Sequence, residues 1–422
     1  MIKGEKIRFD IHNILFAIYK YNKTLNNTSI KNIIESYKSK DLAFLNNVTL
    51  NSMRLHLHSL KIINRYIKKK IRDHEKILLI SAITQIVFLD FKEYAVINCS
   101  VEIAKKLGLY PGLINASLKK IARNKENLKK TSIVYDDLPI WFKKNTTYLS
   151  INEKKKFLKN FFKEPDLHIV FKNIKSFENF EETLIKTSDI SGFLLDKKNI
   201  KNKKSFINGE WWVQDFCSFF PIYNFVFKNA RLKILDSCAA PGGKSFQLLA
   251  NNFKVVLNDK SRLRIETLKN NLKRLNFKAK IINKDFIKFE EDKKFDIIIL
   301  DVPCSAVGTI RKNPEIFFKS ASPDFAQLHF LQKNMLNKAS NLLNKGGFII
   351  YMTCSFLKNE TVDQINSFLK ENGNFLLSKF EIKQNDINYS RLIRDDFMMT
   401  IPDNVLNFNT DGYFSAYLRK IK

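Results

Sequence analysis

Cysteines, aspartates and glycines stand at the ends of apolar runs in the second half of this 422-residue chain. The run FDIIIL leads into DVPCS, so Asp301, Pro303 and Cys304 fall just past its end, and GGFIIYMTCS delivers Cys354 in the same way. Upstream, LKILD runs into SCAAPGGKS. There Gly242 and Gly243 lack side chains, so backbone can approach a ligand closely beside the positive end of a helix starting near Lys244. KVVLND ends on Asp259, a carboxylate able to accept ribose hydroxyls, and the run after it leads to Asp285. A lone buried cysteine is normally an inert small hydrophobe, and Cys99 and Cys217 are read that way. Cys304 and Cys354 beside a nucleotide-type pocket point instead to thiolate chemistry. The segment ending GKS is not a phosphate-binding Walker loop, because that loop needs a glycine where Cys238 stands. GxGxxG is absent, and so is any CxxC pair that would suggest zinc.

Residues spread this far apart meet only if a sheet edge collects them. Beyond Trp211 the strands LKILDSC, KVVLND, AKIIN, FDIIIL and GGFIIYMTCS alternate with helical stretches, which predicts βαβ units on a largely parallel sheet. Such sheets bind ligands at the carboxyl ends of their strands. From Lys6 to about Asn127 the periodicity is helical, as in Leu79, Ile83, Ile86 and Leu89. In VINCSVEIAKKLGLYPGLINASLKKIA, two amphipathic stretches join at Gly108 to Gly112. The chain therefore divides into a helical domain over 1–127, a connector with a small mixed subdomain over 128–208, and an α/β domain over 209–422. Trp211 and Trp212 are expected either as a stacking platform or as core residues. Arg311, Lys312 and Asn313, which follow the Cys304 loop, are expected to reach phosphates.

Composition narrows the setting. Hydrophobic residues at 45% and charged residues at 27% describe a chain able to bury a core, not a disordered polyelectrolyte. Lys plus Arg total 72 against 42 Asp plus Glu, and the net charge of +30 favours a polyanionic partner. Five scattered cysteines form no disulfide framework, which suits a reducing cytoplasm. The longest apolar run, Ile77 to Phe91, is broken by Ser81, Thr84, Gln85 and Asp90, so no membrane span is expected.

DSCAAPGGKS, DVPCS and TCS, in that order and each at a strand end, resemble the RNA (cytosine-5) methyltransferases. The run SAVGTIRKNPEI looks like the RsmB/Sun-type branch that modifies 16S ribosomal RNA. That branch carries a NusB-like N-terminal helical domain, which Lys6 to Asn127 is similar to in size, class and its INCSVEIAKK…LINASLKKI pattern. The resemblance implies an all-α domain followed by a Rossmann-like class I methyltransferase domain that uses S-adenosylmethionine. It implies Cys354 as the nucleophile and Cys304 as the group assisting product release. Cys238, Ala239, Ala240, Pro241, Gly242, Gly243 and Lys244 would line the cofactor, Asp259 would hold its ribose, and Asp285 would lie by the adenine. Asp301 would border the methionine moiety and the target base, where a carboxylate accepting from an exocyclic amine favours cytosine over uracil. The substrate expected is a cytidine of small-subunit ribosomal RNA. Transfer RNA or another ribosomal site remains an alternative within the class, and a non-catalytic RNA-binding assembly or antitermination factor is the alternative outside it.

Overall fold

A computed structural model describes residues 3–227, 231–291, 294–380, 382, 389–405 and 408–422. Contacts divide the chain into two compact units.

The first unit comprises Met1–Leu149, Phe161–Lys163 and Ile310–Pro323. It is helical, and its larger helices span Lys3–Tyr21, Ser39–Arg54, His56–Tyr66, Asp73–Ile83, Glu93–Lys106 and Pro111–Arg123. The last two are the amphipathic stretches read on either side of Gly108, and Pro111 begins the second of them where its missing N–H costs nothing. Apolar residues at helical spacing fill the core, among them Ile11, Ile14, Leu79, Ile83, Ile86 and Leu118.

This unit is not one block of sequence. Phe318, distant in the chain, is 1% exposed and belongs to the same core. Its ring packs edge-on against Tyr19 and His56, with centroids 5.8 and 5.5 Å away. Phe317 packs against Phe142 at 4.9 Å, and Ser320 donates from its backbone N–H and its hydroxyl to the Tyr19 carbonyl at 3.0 and 2.8 Å. Arg311, expected from the sequence to reach phosphates, lies inside instead. Because the segment dives into the helical core, Arg311 is 1% exposed and Arg54 Nη2 donates to its carbonyl at 3.3 Å, so its guanidinium is not a surface contact for phosphates. Lys312 and Asn313 are half-buried.

The second unit comprises Ser150–Asn160, Glu164–Thr309 and Asp324–Lys422. A small antiparallel sheet has the order β2-β3-β1-β4, from β1 (Leu167–Phe171), β2 (Leu184–Ser188), β3 (Ser191–Leu194) and β4 (Trp211–Val213). The β-like piece LHIVF is thus a strand. Trp211 and Trp212 are core residues, 0% and 2% exposed, and their indole N–H groups donate to Ser205 Oγ and Gln214 Oε1, both at 2.9 Å. Burial with a satisfied N–H is the usual state of a core tryptophan and leaves no face for stacking.

The large sheet contains β5 (Ile234–Asp236), β6 (Val255–Asn258), β7 (Lys280–Ile282), β8 (Phe295–Asp301) and β9 (Leu343–Thr353), all parallel, in the order β9-β8-β5-β6-β7. The chain leaves β5 toward β6 and β7, then returns to lay β8 on its other side. The order reverses there, and the strand ends splay apart at such a switch point to leave a crevice. Among the described residues, β10 (Phe375–Ser378), β11 (Ile393–Arg394), β12 (Phe397–Thr400), a β13–β14 hairpin (Asp403–Val405, Phe408–Thr410) and β15 (Tyr413–Lys420) complete the unit. β15 runs antiparallel beside β9. No helix of the described residues is long and apolar enough to cross a membrane.

Replacing Phe318 by Ala should destabilise the helical unit by about 3 to 5 kcal/mol, the usual cost of emptying an aromatic core site. Urea denaturation followed by helical circular dichroism checks this. A loss below about 1 kcal/mol would mean that the segment merely rests on that core.

Candidate active site

The loops after β5, β6, β7 and β8 meet at the switch point around a cavity of about 260 Å³. Cys238, Asp259, Asp285 and Asp301, each singled out in the sequence, line it. So do Pro303, read beside Asp301 at the same strand end, and residues the sequence did not mark: Ser237, Lys260, Arg264, Phe286, Val302, Leu331 and Met335. Ala239, Ala240, Pro241, Gly242, Gly243 and Lys244 are not among the lining residues.

The turn residues instead build the cavity's frame. Gly242 takes φ +119° as the N-cap of the helix Gly243–Ala250, and a Cβ there would lie 2.0 Å from the Phe246 ring. Only glycine combines that conformation with that contact. Ala240 donates its N–H to Asp259 Oδ2 at 3.2 Å, while Asp259 Oδ1 accepts the Ser261 N–H at 2.9 Å and Arg264 Nη1 stands 3.6 Å from Oδ2. A carboxylate has about four lone-pair directions, so Asp259 keeps acceptor capacity although it is 2% exposed. Asp285 is exposed and accepts the Ile287 N–H at 3.0 Å.

Lys244 reaches Asp301. Its ammonium donates to Asp301 Oδ2 at 2.7 Å, and the Tyr413 hydroxyl stands 3.5 Å from Oδ1. Burial works against the charge on Lys244, but Asp301, helped by Asp236, outweighs it and the ammonium titrates above its ordinary value. Burial first, then the Asp301 charge, holds the Tyr413 hydroxyl protonated. Burial, reinforced by the charges of Asp301, Asp236 and Asp259, pushes the Cys238 thiol up to about 12, which makes it inert at neutral pH.

Cys304 and Cys354 come together. β8 and β9 are neighbours with Asp301 opposite Met352, and the Val302 N–H donates to the Met352 carbonyl at 3.0 Å. Chains leaving in-register parallel strands emerge at the same height, and the two Sγ atoms lie 3.3 Å apart as free thiols. The hydrogen bond with Cys354 and then burial lift Cys304 well above an ordinary thiol. Close backbone approach holds the Cys354 loop: the Gly308 N–H donates to the Cys354 carbonyl at 3.0 Å and Gly412 N–H to the Gly308 carbonyl at 2.8 Å. A Cβ on Gly308 would fall 1.9 Å from the Gly412 oxygen. Cys217 is buried, with its thiol 3.5 Å from the Asp411 carbonyl.

Beneath the turn, Asp236 is fully buried and accepts the Ser245 hydroxyl at 2.6 Å. Burial raises its carboxyl from 3.8 to about 6. Because folding raises this value, the unfolded chain ionises first. The contribution of this group to stability is therefore greatest below pH 4, declines between pH 4 and 6, and levels off above. Asp236→Asn should remove that decline, worth up to about 3 kcal/mol at pH 7 relative to pH 4. Urea midpoints of the two proteins across this range check it, and parallel curves would sink the expectation.

Known families match both parts of the chain. Residues 227–419 match the family described as 16S rRNA methyltransferase RsmB/F, and residues 10–123 match the NusB family. Ribosomal RNA small subunit methyltransferase B of Photorhabdus laumondii is 40% identical over 193 residues, which is 44% of this chain but only 42% of that protein. The Vibrio vulnificus protein of the same name is 28% identical over 86% of this chain and 90% of its own length. The crystal structure of PH0851 shares the fold, with a TM-score of 0.72 at 20% identity over 100% of this chain and 99% of that one. The chain thus carries an α/β methyltransferase domain that matches the RsmB/F model over residues 227–419, preceded by a NusB-like helical domain.

Proposed function

We propose that this protein transfers a methyl group from S-adenosylmethionine to carbon 5 of a cytidine in 16S ribosomal RNA, through a covalent adduct with Cys354. The observation that carries the reading is the pair of thiols 3.3 Å apart at adjacent strand ends, next to Asp301 and Pro303 of the cavity. The names of the relatives support the substrate class, and the net charge of +30 suits a polyanion.

The residues of the cavity fit an adenosyl group. Asp259 retains acceptor capacity for vicinal ribose hydroxyls, Asp285 offers a second, exposed carboxylate, and Phe286, Val302, Leu331 and Met335 supply apolar wall. When bound, the cofactor supplies an electrophilic methyl group. Carbon 5 of cytosine is a poor nucleophile, so the ring needs activation from the protein. In this reading the Cys354 thiolate adds to carbon 6, and the displaced electron pair makes carbon 5 nucleophilic. After transfer, water accepts the carbon-5 proton, the C–H bonding pair restores the ring double bond, and Cys354 is expelled as thiolate. Cys304, held as a thiol beside the attacker, assists that release. Asp301, oriented by Lys244, accepts from the exocyclic amine or protonated ring nitrogen that distinguishes cytosine from uracil. A base in structured RNA must first leave its stack, at a cost of a few kcal/mol.

Two experiments test the reading. Cys354→Ala should abolish methylation and form no adduct, whereas Cys304→Ala should accumulate a protein–RNA complex that survives denaturing electrophoresis; the double variant should trap nothing. The opposite pattern would reverse the two roles, and unchanged methylation in both single variants would return the pair to structural cysteines. Separately, Asp259→Ala should weaken S-adenosylmethionine binding by roughly 1 to 3 kcal/mol, the penalty for orphaned hydroxyls. Calorimetry decides this, and tight ATP binding with none of the methyl donor would refute the cofactor.

A further inference from the structure

Behind the two thiols lies a buried carboxylate that none of these steps uses. Glu360 is 0% exposed and ends the short turn Lys358–Glu360 that follows the Cys354 loop. Its Oε1 accepts the Ser305 backbone N–H at 2.7 Å and Gln332 Nε2 at 3.3 Å. Its Oε2 accepts the Ser305 hydroxyl at 2.5 Å and the Ser355 hydroxyl at 2.6 Å. Ser305 directly follows Cys304, and Ser355 directly follows Cys354. The surrounding elements are tied to the same point: Tyr351 of β9 donates its hydroxyl to the Glu360 carbonyl at 2.9 Å, and Gln332 also donates to the Pro303 carbonyl at 2.9 Å.

Among the described residues no cation pairs with this carboxylate. Burying an unpaired charge is expensive, and an apolar side chain would fill the space at lower cost. What an apolar group cannot do is accept hydrogen bonds from two loops at once. We propose that Glu360 is the positioning residue of the cysteine pair: one carboxylate, bonded to the residue after each cysteine, sets the separation and aim of the two thiols. The proposal rests on reading Cys304 and Cys354 as the reacting pair. The charge has a second effect, since it adds to the hydrogen bond from Cys354 and to burial in keeping Cys304 a thiol. The carboxylate also adds to burial in keeping Tyr351 protonated.

The test compares full-length wild type, Glu360→Ala and Glu360→Gln by two measurements. One is steady-state RNA methylation. The other is the pH dependence of iodoacetamide alkylation at Cys304 and Cys354, followed by peptide mass spectrometry, which needs neither RNA nor cofactor. Glu360→Ala should lower kcat on the order of 100-fold, as misplacement of a reacting group does, with the KM for S-adenosylmethionine unchanged. Glu360→Gln can still accept from the Ser305 N–H and donate to the two hydroxyls, so it should recover about tenfold of that loss. Having lost the charge, it should move the alkylation midpoint of Cys304 down by about one pH unit. Should Glu360→Ala fail to fold, the double variant Ser305→Ala/Ser355→Ala removes the same hydroxyl struts and is expected to lower kcat likewise. Alkylation profiles equal to wild type in the Glu360 variants would overturn the proposal, whatever happens to methylation. Failure of the wild type to methylate carbon 5 would bring down the functional reading alone, because alkylation still reports on Glu360.

Discussion

The parallel pairing of β8 with β9 is the interaction on which the rest of the site depends. Asp301 and Met352 sit opposite one another, so the segments that leave these strands start level and carry Cys304 and Cys354 to within 3.3 Å. Side chains alternate along a strand, and a slip of one residue would turn each cysteine-bearing segment to the wrong face. Apolar burial specifies the register. Ile297, Ile298, Ile299, Ile349 and Ile350 are at most 2% exposed, and a slip would drive their neighbours into occupied space. The energy that holds the pocket thus comes from the hydrophobic interior of the sheet, not from the polar groups at its edge.

Those polar groups solve a different problem, which is how to keep charge where water is scarce. Lys244 and Asp301 answer it by pairing, at 2.7 Å, with the Tyr413 hydroxyl on the other carboxylate oxygen. Glu360 answers it with neutral donors, the Ser305 N–H, the hydroxyls of Ser305 and Ser355, and the Gln332 amide. Ion pairs with partial burial gain little over apolar packing, but removing one partner leaves the other stranded, so such groups fix geometry more than they add stability. Close backbone contact between Gly308 and Gly412 serves the same end without charge.

The helical unit illustrates how packing overrides sequence order. Helical periodicity weakens after Asn127, yet the unit continues to Leu149 and takes in Ile310–Pro323 from far along the chain. Phe317 and Phe318 anchor the segment there, since burying two adjacent phenylalanines contributes part of the free energy that offsets the entropy of ordering it. Arg311 is drawn inside with them. A basic residue beside a catalytic-looking loop invites a phosphate-binding reading, and only the packing of its neighbours reverses it.

By itself the sequence marked the five parallel strands and the carboxylates and thiols at their ends. Runs such as FDIIIL and GGFIIYMTCS are long, apolar and bounded by glycine, proline or aspartate, so their local pattern already excludes other structures. Asp259, Asp301, Cys304 and Cys354 could be singled out because each stands at the end of such a run, and strand ends are where open α/β sheets place ligands. Phe286, Leu331 and Met335 left only weak signals, the first beside Asp285 and the others four apart on one helix. Glu360 and Tyr413 left none. Tyr413 opens an antiparallel strand, and Glu360 ends a short turn whose partners lie up to 55 residues away in sequence. The core or surface position of Trp211, Trp212 and Arg311 was likewise open until the fold closed. Local pattern reports what a segment can be, because hydrogen-bonding period and turn chemistry act over a few residues. Which side chains then meet is set by strand order and register, where contacts between distant residues offset the entropy of bringing them together.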